Sequence, residues 1–304
     1  MLDRVTSMQV FVRVAASGSF SAAGRALNLS QTMVTKHVAA LEARLGIKLL
    51  HRSTRRLVLT EGGRAFLAAA ERILADIEEA EASASLDRVE PRGVLRMNVP
   101  LTFGFREIAP ALAEFNRQYP LVSVDLGLAD RFVDLIEEGW DLAIRIGRLQ
   151  DSSLIARKIA PCRIVICAAP AYLARHGAPR TPQELGDHNC LGYTLPTILS
   201  ATRWLFGSAG EAAVTVSGNL RANNGDALLA AAIAGQGLVY QPTFLVGDSL
   251  RSGSLVRVLS DEVIPELGVY AVMPSGRQAP AKVRVIIDFL AARFGASPGW
   301  DREL

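Results

Sequence analysis

Three cysteines, Cys162, Cys167 and Cys190, are spread through 304 residues, too few and too scattered for a disulfide framework or a cysteine-rich metal site. That scarcity suits a reducing compartment, and neither a metal nor a cofactor is expected. Long apolar runs are also missing. No stretch approaches the roughly 18 residues of a membrane span, and the first residues lack a charged flank leading into an apolar core. The expectation is a soluble, cytoplasmic protein with no membrane partner. Catalytic signatures are equally scarce, with no phosphate loop, no Gly-x-Ser-x-Gly elbow and no His-Glu-x-x-His. Gly235-Gln236-Gly237 lacks a third glycine and lies between a helical pattern and a strand pattern, the reverse of a dinucleotide turn. His37, His51, His176 and His188 are dispersed, and ordinary surface roles are expected of His37 and His188. An enzyme has little support.

Half of the chain is apolar, enough for about two domains. The net charge of +3 hides an asymmetry. Residues 1 to 60 hold nine Lys or Arg against Asp3 and Glu42, a balance of +7, and the remaining 24 basic and 28 acidic groups leave −4 on the rest. The basic end is where a nucleic acid is expected.

Within that end, Ser19 to Val38 reads as a helix-turn-helix. Ser21 can cap a short helix from Ala22, Asn28-Leu29 turns the chain, and Ser30 is a second N-cap. Beyond it Val34, Val38, Leu41 and Leu45 recur on one helical face, and Gly46 stops the helix. The other face carries Ser30, Gln31, Thr32, Met33, Thr35 and Lys36, a group with side chains able to contact base edges or phosphates from the major groove. For two short helices alone a hairpin with a solvated polar face would be the favoured reading. The stretch Leu49 to Thr60 adds two apolar runs around a basic tip, which reads as a wing carrying Arg52, Arg55 and Arg56 toward phosphates or a narrow minor groove. A preceding helix with Val5, Met8, Val12 and Ala15 on its apolar face, and Phe11 beside them, buttresses the pair.

Phe11-Val12, Gly18-Ser19-Phe20-Ser21-Ala22-Ala23, Leu27, Ser30-Gln31, Val34-Thr35, Leu41-Glu42, Leu45-Gly46, Leu49-Leu50, Arg52 and Thr60-Glu61-Gly62-Gly63 together resemble the DNA-binding domain of LysR-type transcriptional regulators. One departure is Leu50, where that family usually has Phe, and it preserves an apolar position. From Glu61 to about Ser85, Phe66, Ala70, Ile73, Ile77, Ala80 and Ala84 form a seam that wants a partner helix, with Glu71, Glu78, Glu79 and Glu81 on a solvated face. The resemblance implies a dimerising linker helix; a helix packed on its own effector domain is the alternative.

Pro91-Arg92-Gly93 marks a hinge. After it, apolar runs alternate with helical patterns, which predicts α/β lobes with a largely parallel sheet. Helices are expected near 103–119, 132–138, 172, 227–234, 244–250 and 281–294. Leu112, Phe115, Tyr119-Pro120, Asp134-Leu135, Gly139, Asp141 to Arg145, Pro170 to Leu173 and Ala234 to Leu238 extend the resemblance to the family's effector domain. It implies two lobes around a small-molecule cleft, as in periplasmic binding proteins. Cleft residues then come from strand ends and helix starts. Thr102 suits either an effector contact or a helix cap. Arg145 suits either a bidentate contact to a carboxylate or a structural partner of Asp141. Asn223 and Gln241 are the candidates from the second lobe.

The expected protein is a multi-domain α/β chain. It has a winged helix-turn-helix over 1–60, a linker helix and hinge over 61–90, and an effector domain over 91–304, with lobe I about 91–161 and 267–304 and lobe II about 162–266. Its expected partners are double-stranded DNA, a small-molecule effector, further copies of itself as a homodimer or homotetramer, and RNA polymerase.

Overall fold

The computed structural model describes residues 2–52, 57–84, 90–148, 154–195, 200–274, 279–302 and 304. The chain falls into two compact units, Met1–Val89 and Glu90–Leu304.

The first unit runs α1 (Arg4–Ser17), α2 (Phe20–Leu27), α3 (Gln31–Leu45), β1 (Leu50–Arg52), β2 (Leu57–Leu59) and α4 (Glu61–Ala84). Each short helix is fixed at both ends. The Asp3 carboxylate accepts the Thr6 amide ahead of α1, and Gly18 leaves it at φ 61. Ser19, rather than Ser21, caps α2 by accepting the Ala22 amide, and Asn28 closes that helix in the left-handed region. Ser30 caps α3 through the Met33 amide, and Gly46 ends it at φ 69. Gly24 admits no side chain, because a Cβ there would stand 2.6 Å from the Leu29 carbonyl oxygen.

Val10, Phe11, Val14, Ala23, Val34, Val38, Leu41, Leu49 and Leu50 form the core of this unit. The buried stripe of α1 is therefore Ser7, Val10, Phe11 and Val14, while Val5, Met8, Val12 and Ala15 are half-buried beside it. Two adjacent apolar stripes cannot be ranked by periodicity, and the helices packed on α1 made the choice. Leu45, in the last turn of α3, is 37 % exposed despite its place in the repeat. Along the described part of α4 the buried positions are Gly63, Ala70 and Leu74, Phe66 and Leu67 pack on the core, and Ile73 is 39 % exposed. The side chains of Glu78, Glu79, Ala80, Glu81 and Ala84 lie outside the described residues, as does Ser85.

The second unit begins with β3 (Gly93–Val99). A helical run follows, made of α5 (Leu101–Phe103), a π-turn (Gly104–Ile108) and α6 (Ala109–Gln118). Then come β4 (Val122–Leu128), β5 (Leu142–Gly147), β6 (Ile155–Cys162), β7 (Ile164–Ala168), α7 (Pro170–His176), a 3-10 turn (Pro182–Asp187) and β8 (Cys190–Tyr193). The chain continues through β9 (Arg203–Phe206), β10 (Ala212–Thr215), β11 (Arg221–Ala222), α8 (Gly225–Ile233), β12 (Leu238–Pro242), α9 (Thr243–Arg251), β13 (Val256–Val258), β14 (Leu267–Met273), α10 (Ala281–Phe294) and a 3-10 turn (Gly299–Asp301).

Two five-stranded sheets result, ordered β4-β3-β5-β14-β6 and β11-β8-β12-β7-β13, with β9 and β10 as a separate hairpin. The first sheet is parallel from β4 through β3 to β5 and antiparallel on either side of β14. The second is parallel from β11 through β8 to β12 and antiparallel on either side of β7. Both sheets are thus mixed rather than largely parallel. The chain leaves the first lobe after β6 and returns along β14, and that return strand runs against β5 and β6. The helix expected over 132–138 is a single hydrogen-bonded turn. Asp134 Oδ1 accepts the amides of Ile136 and Glu137 at 2.8 and 2.9 Å, and Gly139 ends the turn at φ 70.

Candidate nucleic-acid interface and effector cleft

Helix α3 presents two unlike faces. Val34, His37, Val38, Leu41 and Glu42 are buried, while Ser30, Gln31, Thr32 and Lys36 are exposed and Met33 and Thr35 half-buried. His37 corrects the surface role expected of it: its Nδ1 lies 3.0 Å from Ser7 Oγ, tying α3 to α1. The polar groups on the outer face are partly engaged already. Ser21 Oγ donates to Gln31 Oε1 at 2.8 Å, and Thr35 Oγ1 donates to the Gln31 carbonyl at 2.9 Å. The Gln31 carboxamide is thereby held by its oxygen, with its NH2 free to donate outward. Arg55 and Arg56, expected on the wing, and the side chain of Arg52 lie outside the described residues.

A buried carboxylate fixes the wing to the helix-turn-helix. Glu42 accepts Lys48 Nζ at 2.8 Å and the amides of Leu49 and Leu50 at 3.0 and 3.3 Å. Burial pushes its carboxyl up, but the bonds from Lys48, Leu49 and Leu50 outweigh this and hold it below the ordinary range. Thr60 begins α4 by donating to the Lys48 carbonyl and accepting the Gly63 amide. A Cβ at Gly63 would fall 2.0 Å from the Leu49 carbonyl oxygen, which explains a glycine there.

In the second unit a cleft of about 110 Å³, partly open to solvent, lies between the two sheets. Its walls come from C-terminal strand ends and the helix starts beyond them, where open α/β sheets place ligands. Thr102, Arg145 and Gln241 are brought together here, and Asn223 is not. Asn223 is exposed and outside the lining, while its neighbour Asn224 spends its side-chain oxygen capping α8 at Ala227 and Gly225 reaches the cleft.

The three lining residues differ in what they have left to offer. Thr102 is buried, and its hydroxyl donates to Asp226 of the opposite lobe in a very short hydrogen bond. Arg106 adds a second tie to the same carboxylate at 3.2 Å and approaches Asp248 at 3.7 Å. The hydroxyl predicted as a ligand contact is thus part of a latch between lobes. Arg145 donates to Asn98 Oδ1 at 3.0 Å and its guanidinium lies 5.5 Å from the centre of the Phe132 ring. Asp141 is not its partner, since that carboxylate takes the Arg96 amide and Lys282 Nζ, both at 2.9 Å. Desolvation depresses the Arg145 guanidinium. Gln241 is 2 % exposed, and among the described residues its carboxamide has no hydrogen-bond partner.

Asp130, Arg131, Phe132 and Tyr193 also line the cleft, and none was singled out in the sequence. Asp130 accepts the Leu101 amide at 2.8 Å, and burial raises its carboxyl despite that bond. Burial, with Asp130 nearby, pushes the Tyr193 phenol up to about 12. The strand-end argument that singles out Thr102 also singles out Asp130, two residues past β4. Cys162, Cys167 and Cys190 are free and buried away from the cleft, and burial raises all three thiols, Cys167 and Cys190 to about 12. Among the described residues no group of three His, Cys, Asp or Glu could hold a metal, and no helix is long and apolar enough to cross a membrane.

A winged helix-turn-helix joined to a two-lobed α/β unit with a cleft defines a DNA-binding regulator with an effector-binding domain. Residues 5–64 match the bacterial regulatory helix-turn-helix proteins of the lysR family, and residues 88–295 match the LysR substrate binding domain. The chain belongs to the LysR-type transcriptional regulators. It is 38 % identical over 288 residues to an HTH-type transcriptional regulator of Xanthomonas campestris pv. campestris, covering 94 % of this chain and 84 % of that one. The solved structure of CrgA, a LysR-type transcriptional regulator from Neisseria meningitidis, superposes with a TM-score of 0.61 at 34 % identity over 95 % of this chain and 98 % of that chain. The full-length structure of AphB, a virulence activator from Vibrio cholerae, matches at a TM-score of 0.57 and 28 % identity over 94 % and 98 %.

Proposed function

We propose that this chain acts as a cytoplasmic, non-enzymatic homo-oligomer that reads an operator with α3 and answers an effector held between its lobes. The observation that carries the reading is a cleft lined by the Gln241 carboxamide and by the half-buried Arg145 guanidinium, which among the described residues makes no ion pair. In this reading residues 1–60 bind DNA, 61–90 link and dimerise, and 91–304 sense. Ser30, Gln31, Thr32, Met33, Thr35 and Lys36 face the major groove, with Arg52, Arg55 and Arg56 on flanking phosphates. Two copies place two such helices on half-sites of a palindromic operator. Arg145 and Gln241 contact the effector. Thr102 joins the contact only when the bond to Asp226 opens, so ligand entry and lobe closure compete for one hydroxyl. The changed lobe angle moves the paired DNA-binding units and alters recruitment of RNA polymerase.

The test is a salt titration of binding to DNA from upstream of the chain's own gene against random DNA of equal length. A preference of ~1000-fold or more is expected. Replacing Arg55 and Arg56 with Ala should weaken both complexes and flatten the salt slope, because fewer counterions are released. Equal, weak binding to both DNAs would remove the regulator reading.

A further inference from the structure

Resting on the effector-cleft reading, we infer that the ligand is a small organic monocarboxylate, its carboxylate on Arg145 and the Gln241 carboxamide and its body apolar. The charge argument comes first. The acids around Arg145 have other partners: Asp141 takes Lys282 and the Arg96 amide, Glu138 takes both Nη atoms of Arg131 at 2.8 Å, and Asp130 takes the Leu101 amide. Among the described residues Arg145 hydrogen-bonds the neutral Asn98 amide and lies over the Phe132 ring, with no carboxylate in direct contact. A half-buried guanidinium with no ion pair of its own is matched by an incoming carboxylate, which accepts two parallel N–H bonds.

Gln241 supplies an independent observation. It sits at the end of β12, 98 % buried and lining the cleft, with no hydrogen bond among the described residues. The carboxamide lines the cleft without a protein partner, so its Nε2 is placed to donate to a ligand oxygen.

The remaining lining limits the body of the ligand. Ile146, Pro242, Phe244, Leu245 and Leu267 are apolar, and 110 Å³ is smaller than the roughly 150 Å³ cavity that encloses a benzene ring. The body is therefore a short branched chain or a single ring reaching the open side. A second carboxylate has no cation to meet. Arg131 is neutralised by Glu138, and Asp130 stands in the wall with its own acid group.

Calorimetric titration of the full-length protein with butyrate and benzoate, each beside its amide and beside succinate, tests the assignment. An acid should bind about tenfold or more tightly than its amide and than succinate. Arg145→Gln should erase the difference between acid and amide, and Arg145→Lys should keep its direction with weaker binding. Amides equal to acids, neither acid binding, or acid binding unchanged in Arg145→Gln would each overturn the inference, the first two without depending on a variant that folds. Operator binding measured in the same samples separates the two readings. Acid binding that leaves DNA retention unchanged removes the regulatory coupling but keeps the ligand class. A DNA response to a neutral compound alone does the reverse.

Discussion

Gln31 and Glu42 occupy the same helix and show how one hydrogen bond decides a side chain's role. On the proposed reading, in which α3 faces the groove, the bond from Ser21 to Gln31 Oε1 orients the carboxamide and leaves its NH2 to donate to an acceptor such as guanine O6 or N7 or thymine O4. Gln31→Ala should lose about 1–3 kcal/mol of discrimination at one base pair, measured by competition with singly substituted operators. Unchanged discrimination at every position would take Gln31 out of the readout. Glu42 is 4 % exposed and serves the wing instead. Its folded carboxyl lies below the ordinary 4.5, so its contribution is present above about that pH and is lost as pH falls through the folded value. Glu42→Gln should cost about 1–3 kcal/mol at neutral pH and remove that acid sensitivity. Hydrogen exchange of the Leu49 and Leu50 amides reports it, and equal protection in both proteins would show the carboxylate to be dispensable.

At the scale of elements, α4 is the clearest case of a helix longer than its own unit needs. Its 24 residues span about 36 Å, and Ile73 remains substantially exposed beyond the positions that pack on the winged core. On the dimer reading, Ile73→Asp should remove about 1.5–3 kcal/mol per copy and shift sedimentation toward monomer. A variant that sediments like the parent would move the interface elsewhere. The boundaries of α3 were legible because Ser30 and Gly46 announce them. By contrast β6, β8, β9, β11 and β13 were not foreseen. Two of them are only two and three residues long, and β6 carries Arg157 and Lys158 in an edge strand whose pairing with β14 spans more than a hundred residues. The 132–138 segment misled because its apolar spacing fits a helix, while Asp134 turns the backbone on itself.

For the whole second unit, the lobes are joined through a floor of aromatic rings and a polar latch above it. Phe103 meets Phe244 of the other lobe edge-on at 5.1 Å, with Trp300 packed on Phe103 at 5.5 Å. Asp226 then receives Thr102 and Arg106 from the other side. Asp226→Asn should cost this unit about 1.5–3 kcal/mol, the usual worth of hydrogen bonds to a charged group. Tryptophan fluorescence during urea unfolding follows it selectively, since Trp140, Trp204 and Trp300 all lie in this unit. No change in midpoint would mean that the aromatic floor alone holds the lobes.

The sequence by itself determined what depends on neighbours along the chain. The Ser30 cap, the Gly46 stop, the two strands of the wing and the basic first sixty residues follow from local propensity and charge. It also placed Thr102, Arg145 and Gln241 at strand ends, where a cleft collects them. Only the tertiary structure decided which of these groups are spent. Thr102 is taken by a residue 124 positions away and Asp141 by one 141 positions away, which leaves Arg145 to the neutral Asn98 amide rather than to Asp141. The reason is physical: satisfaction of a polar group is settled by what packs against it in space, and no local pattern in the chain encodes that distance.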